Sequence, residues 1–204
     1  MRVVHGLVRH EARLFVSLGL WLARRTHGTA GGRAFGYARG QGSTLFGLGF
    51  VCVVESFTMS VLLRDWPAAH RVVLLLDVYT LLFVVGLHAA CVVRPHVLTP
   101  DALRVRYGAH VDLRIPLAAI GAVRRETRTT HERAAGELDL PVASRTTLTL
   151  ELTAPVTRTT LFGRRRTASV VRLHAEDPDD LVRALTRALT RVRTGSSTCP
   201  DPLG

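Results

Sequence analysis

The sequence predicts a membrane α-helical hairpin joined to an α+β cytoplasmic domain. Three observations predict it. Residues 44–63 and 72–93 are apolar runs of the roughly 20 residues a helix needs to cross a hydrocarbon core of about 30 Å. From Leu103 the apolar pattern changes from helical to period two. At Asp177 it changes back, in a segment with a cap and one apolar stripe.

Residues 1–43 read as a basic arm. Spaced as on a helix, Val4, Leu7, Val8, Leu14, Phe15, Leu18, Trp21 and Leu22 share one face, and His5, Arg9, Arg13, Ser17 and Arg24 share the other. Glu11 falls on the apolar face. Arg24 and Arg25 stand where a cleavable signal would have small neutral residues, which argues against a signal peptide. A basic amphipathic helix beside a span reads as interfacial, with Phe15 and Trp21 at headgroup depth. The other reading packs the stripe on the soluble domain. Residues 28–42, with Gly31, Gly32, Gly36 and Gly40, read as a flexible joint.

The hairpin occupies residues 44–93, and its polar loop runs from Arg64 to Arg71. The chain has a formal net charge of +11, and all 27 basic residues are arginine. Residues 1–43 hold seven arginines against Glu11, while the loop holds only Arg64, Arg71 and Asp65. Arginine-rich flanks stay inside, so the expected topology is multi-pass in the cell membrane with both termini cytoplasmic. Glu55, Asp77 and His88 lie within the runs. Ionisable groups at membrane depth are expensive and therefore suspects for function. Glu55 is expected level with Thr80, and Asp77 nearer the outer end. These groups serve either as helix-packing glue or, in an oligomer, as an ion or proton path.

The α+β domain is expected over residues 94–194, with a disordered tail at 195–204. Helix two stops at Arg94-Pro95. A short strand is expected at 97–99. Leu103, Val105 and Tyr107, then Val111, Leu113 and Ile115, alternate with charged residues around Gly108, which is a β-hairpin with one buried face. A strand at 121–128 and a polar loop at 129–145 follow. Leu148, Leu150 and Leu152 alternate with polar residues, and 156–162 and 167–174 flank a turn at 163–166. Asp177 caps a final helix, Pro178 occupies its first position, and Asp179 and Asp180 suit the positive end of its dipole. Its stripe is Leu181, Val182, Leu185, Ala188, Leu189 and Val192, and Gly195 stops it.

The segment Val97-Leu98-Thr99-Pro100-Asp101-Ala102-Leu103-Arg104-Val105-Arg106-Tyr107-Gly108 resembles the opening of bacterial pleckstrin-homology-like domains, as does Ile115-Pro116-Leu117-Ala118-Ala119-Ile120-Gly121-Ala122-Val123 after it. In that family a Thr-x-x-x-Leu strand, a basic strand ending in Tyr-Gly and an Ile-Pro-Leu-x-x-Ile-x-x-Val element recur, often beside two transmembrane helices. The resemblance spans about half the chain. It implies a PH-like seven-stranded antiparallel bent sheet or barrel capped by the C-terminal helix, and it supplies no catalytic residue. The 129–145 loop departs from the family's compact pattern.

No nucleophile elbow, phosphate loop or zinc-protease helix is present, and His131-Glu132 lacks a second histidine at the required spacing. Cys52, Cys91 and Cys199 fit no paired metal or redox spacing. The expectation is therefore a non-enzymatic chain without cofactor or metal. Two basic clusters remain: Arg164, Arg165 and Arg166 in a turn, and Arg124, Arg125 and Arg128. Guanidinium forks suit phosphate, so these are candidate anionic-lipid contacts, against the alternative of a solvated surface. The arginines are not interleaved with aromatics, so no nucleic-acid partner is expected. The expected role is a scaffold or regulator whose domain binds the inner membrane surface or a protein partner. The alternative is an oligomeric transporter or channel component using Glu55 and Asp77.

Overall fold

A computed structural model describes residues 2–29, 31–130, 134–160 and 165–196. The first helix, α1 (Arg2–Leu22), is followed by β1 (Arg33–Phe35), a 3₁₀ turn (Arg39–Gln41), α2 (Gly42–Leu62) and α3 (Pro67–Val93). The α2 and α3 helices form the expected hairpin and are long and apolar enough to cross a membrane. Its outer surface is apolar: Phe46, Phe57 and Leu75 are 79%, 72% and 72% exposed. The connection is shorter than the polar loop suggests. Pro67 opens α3, because its fixed φ suits the first helical position and its missing N–H would have had no partner there.

The amphipathic arm packs on the hairpin, not on the sheets alone. Leu14 and Ser17 of α1 are buried. Leu14 clusters with Ala90 and Ala109, the Tyr79 hydroxyl donates to Glu11 at 2.6 Å, and Trp21 meets His88 edge-on. These contacts seat α1 against α3. Phe15, Val16 and Leu22 remain exposed. Tyr79 thus explains why Glu11 can interrupt the apolar stripe.

The domain contains β2 (His96–Leu98), β3 (Ala102–Tyr107), β4 (Val111–Pro116), a 3₁₀ turn (Leu117–Ala119), β5 (Ile120–Arg128), β6 (Glu137–Leu140), β7 (Thr146–Thr159), β8 (Arg165–Leu173) and α4 (Pro178–Ser196). It is an α+β unit, but among the described residues its strands form no closed barrel. They form two four-stranded sheets, ordered β1-β2-β3-β4 and β5-β7-β8-β6. One core joins the sheets to α4, with Leu103, Val105, Ile115, Leu148, Leu150 and Leu173 against Leu181, Leu185 and Leu189.

Three elements differ from the sequence reading. The glycine-rich stretch expected as a joint supplies β1, antiparallel to β2. Gly32 makes that approach feasible, because a Cβ there would lie 2.6 Å from Val97 Cγ1 and 2.7 Å from the Leu98 carbonyl oxygen. The 129–145 segment, expected as a loop, contains β6, which pairs parallel to β8. The last helix runs through Gly195 to Ser196. Its cap is as read, with the Asp180 N–H donating to Asp177 Oδ1 at 2.8 Å. Of the expected tail, residues 197–204 lie outside the described residues, as do Cys199 and the His131-Glu132 pair.

Candidate functional site

The β3–β4 register places Arg104 directly opposite Arg114. Like charges so placed repel unless acids intervene. Both are answered here: Arg104 forks onto Asp112 through two 2.6 Å hydrogen bonds, and Arg114 binds Asp101. The Thr99 hydroxyl, then Arg114, hold the Asp101 carboxyl below its usual value. Asp112 bonding raises the Arg104 guanidinium.

A second such pair has no acid among the described residues. Arg158 of β7 stands opposite Arg166 of β8. Burial, and then the charge of Arg166, push the Arg158 guanidinium below its ordinary value. Arg158 lines a cleft of about 710 Å³ together with Arg13, Arg104, Arg114 and His110, with Asp101 and Asp112 as its acids. It also lines a smaller adjoining pocket with Arg165 and Arg166.

The cleft lies at the end of the domain next to the helices. Arg13 comes from α1 and donates to the Ala109 carbonyl at 3.3 Å. The turn holding Ala109 touches Leu14 of α1 and Ala90 of α3. Asp112 and Asp101 already answer Arg104 and Arg114, so Arg13 and Arg158 are the cleft's guanidiniums without a carboxylate among the described residues, and they suit an anion with several oxygens.

No protein-family model matches this chain, and neither a curated protein nor a solved structure matches it.

Of the residues the sequence singled out, Arg165 and Arg166 begin β8 beside this cleft, and Arg164 lies outside the described residues. Arg124 and Arg125 do not join them. Arg124 faces Thr149 on β7, nine residues from Arg158, on the order of 30 Å of strand at about 3.3 Å per residue. Each already has an acid: Arg124 pairs with Glu151 at 3.2 Å, and Arg125 with Asp179 at 2.9 Å. Arg128 pairs with Glu126.

In the hairpin, Glu55 is exposed on the outer side of α2. Thr80, expected as its level partner, donates to the Leu76 carbonyl of its own helix. Asp77 is half-buried, with Oδ2 enclosed and unbonded among the described residues. The three residues Glu55, Asp77 and His88 form no shared cluster, and no group of three or more His, Cys, Asp or Glu suited to a metal occurs among the described residues.

Arg13, Arg104, Arg114 and Arg158 escaped sequence reasoning. The outward positions of Arg104 and Arg114 were visible in the alternation, but only the strand register makes them neighbours. Arg158 faces Arg166 because β7 continues through Pro155 to Thr159.

Proposed function

We propose that the chain is a non-enzymatic integral protein of the cell membrane, anchored by α2 and α3, whose cytoplasmic domain binds the anionic inner leaflet through the Arg13–Arg158 cleft and acts there as a scaffold or regulator. One observation carries this reading: the Arg158–Arg166 pair lacks an acid among the described residues and borders a cleft that includes Arg13 of α1. Anionic headgroups attract such clusters electrostatically. The arginines flanking the hairpin favour a domain on the inner side, with both termini cytoplasmic. The β3–β4 hairpin, the 3₁₀ turn after it and the closing helix α4 support the pleckstrin-like relationship.

The full chain in nanodiscs tests the reading. Amide exchange over residues 104–114 and 156–160 should slow when phosphatidylglycerol joins phosphatidylcholine. Arg158→Glu should remove the difference. Equal exchange in both lipids would refute the headgroup assignment and favour a protein partner for the domain.

The exposure of Glu55 favours a second reading, an oligomeric transporter or channel component, because a carboxyl group facing lipid calls for a neighbouring helix. Reconstituted wild-type protein with proton or ion flux no greater than that of Glu55→Gln would eliminate it.

A further inference from the structure

At the domain end of the hairpin, an apolar groove of about 490 Å³ opens between α2 and α3. Trp21 of α1, Phe46, Phe50 and Val53 of α2, and Leu81 and His88 of α3 line it. Two glycines keep it open. A Cβ on Gly42 would meet nothing within 4 Å, and one on Gly49 would meet Leu81 Cδ1 at 3.8 Å, an ordinary contact. Phe46 and Phe50 are themselves exposed, so the groove merges with the apolar outer surface of the hairpin.

One end of the groove is polar. His88 Nδ1 is enclosed without a partner among the described residues, and its ring meets Trp21 edge-on at 6.0 Å. Arg24 and Arg25 follow Trp21 within about one helical turn. Both are exposed, and neither is paired with a carboxylate among the described residues. A tryptophan with adjacent arginines is the pattern of the membrane–water boundary.

We propose that this groove binds one acyl chain of an anionic phospholipid, whose phosphate is held by Arg24 and Arg25. The proposal rests on the membrane reading above. Within a bilayer the apolar walls are covered by hydrocarbon, and the exposed guanidiniums supply the complementary charge for a phosphate. The site differs from the Arg13–Arg158 cleft in its residues and in holding the chain as well as the headgroup.

Native mass spectrometry of the full chain in mild detergent tests this, with phosphatidylglycerol or phosphatidylcholine added. One phosphatidylglycerol should be retained in preference to phosphatidylcholine. Gly49→Leu, which fills the groove, should lose it. Gly47→Leu, on the same helix with open space around its Cβ, should keep it. Arg24→Gln with Arg25→Gln should abolish the preference for the anionic lipid while leaving both lipids able to bind.

Lipid retention by Gly49→Leu equal to wild type overturns the proposal. So does a crosslinked dimer that forms without bound lipid and is lost in Gly49→Leu, since the groove would then be an interface between copies. Should Gly49→Leu fail to fold, Trp66→Phe leaves Trp21 as the sole tryptophan. Brominated phosphatidylglycerol should quench its fluorescence, and an unquenched signal overturns the assignment. Alkaline extraction separates the two readings. A chain released from membranes refutes the membrane reading itself, whereas one retained but without bound lipid refutes the groove alone.

Discussion

The imidazole of His96 stacks on the ring of Tyr37, with centroids 4.7 Å apart. This contact ties the segment before the hairpin to the strand after it. His96 Nδ1 accepts from the Arg106 N–H at 3.1 Å, and Nε2 lies 3.0 Å from the His174 carbonyl oxygen. Both bonds are satisfied by a neutral ring protonated at Nε2. The Tyr37 hydroxyl accepts from the Gly108 N–H at 2.8 Å. Arg106 is also buried and donates to the carbonyls of His27 and Gly28.

Acid should destabilise this junction. Burial lowers the pKa of His96 from 6.5 to about 4, and burial also lowers that of His174. The unfolded chain therefore takes up the His96 proton first. The stabilisation is complete above pH 6.5 and is lost as pH falls from there toward about 4. For His96 it amounts to about 3 kcal/mol at about 1.4 kcal/mol per pKa unit. Denaturant melts of the full chain in detergent should show this loss in wild type. His96→Gln should flatten the slope across that window, and an unchanged slope would assign the acid sensitivity elsewhere.

Removal of the Tyr37 hydroxyl should be costly for so small a change. Tyr37 is 0% exposed, and Tyr37→Phe leaves the buried Gly108 N–H with only the weakly accepting Cys91 sulfur. The expected loss is about 1–3 kcal/mol. By the same argument, a fragment of residues 95–194 lacks β1 and the Tyr37 ring that covers His96. It should be digested by trypsin under conditions in which the full chain in detergent resists. Equal resistance would show that the domain folds without the preceding segment.

The hairpin, the β3–β4 pair and the capped final helix were legible because each is specified locally. Apolar length, alternation around Gly108 and the Asp177-Pro178 start need no partner to be recognised. The parts that depend on distant pairing were hidden. Arg33–Phe35 lies between the glycines of an expected joint, Gly31, Gly32 and Gly36, and only the edge of β2 makes it a strand. Leu138 and Leu140 alternate, but four residues are too few to define a strand until β8 lies beside them. The site was hidden for the same reason. Arg165 and Arg166 were visible as a charge run, whereas Arg13 reaches the cleft only through the packing of α1 on α3.

Gly32 should not tolerate even a methyl group. Gly31 and Gly32 are adjacent, yet their requirements differ. Gly31 has φ +78° and open space around its Cβ, so Gly31→Ala meets only the left-handed backbone penalty of about 1–2 kcal/mol. At Gly32 the added Cβ would lie 2.7 Å from a backbone oxygen, which cannot rotate away. Gly32→Ala should separate β1 from β2, with faster amide exchange at 33–35 and 96–98. Similar exchange in the two variants would mean that the β1 edge accommodates the methyl group.

Arg172 should be the most costly surface-proximal arginine to remove. It is 7% exposed and lies on β8, between the carboxylates of the parallel neighbour β6. Its Nη2 donates to Glu137 at 2.8 Å, and its Nη1 reaches Asp139 at 3.1 Å. Bonding to Glu137, then to Asp139, raises its pKa, and Arg172 in turn lowers that of Glu137. Arg172→Leu takes from Glu137 the guanidinium that it holds by a fork, a change that costs about 3–5 kcal/mol when an enclosed pair is broken. Partial exposure of the two acids places the expected loss at the lower end. The triple variant Arg172→Leu, Glu137→Gln, Asp139→Asn should recover much of it, because the residual penalty is charge repulsion and not lost packing. If melting of the triple variant in detergent is no better than that of Arg172→Leu alone, β6 is held by its ladder and its leucines, and the ion pairs contribute little.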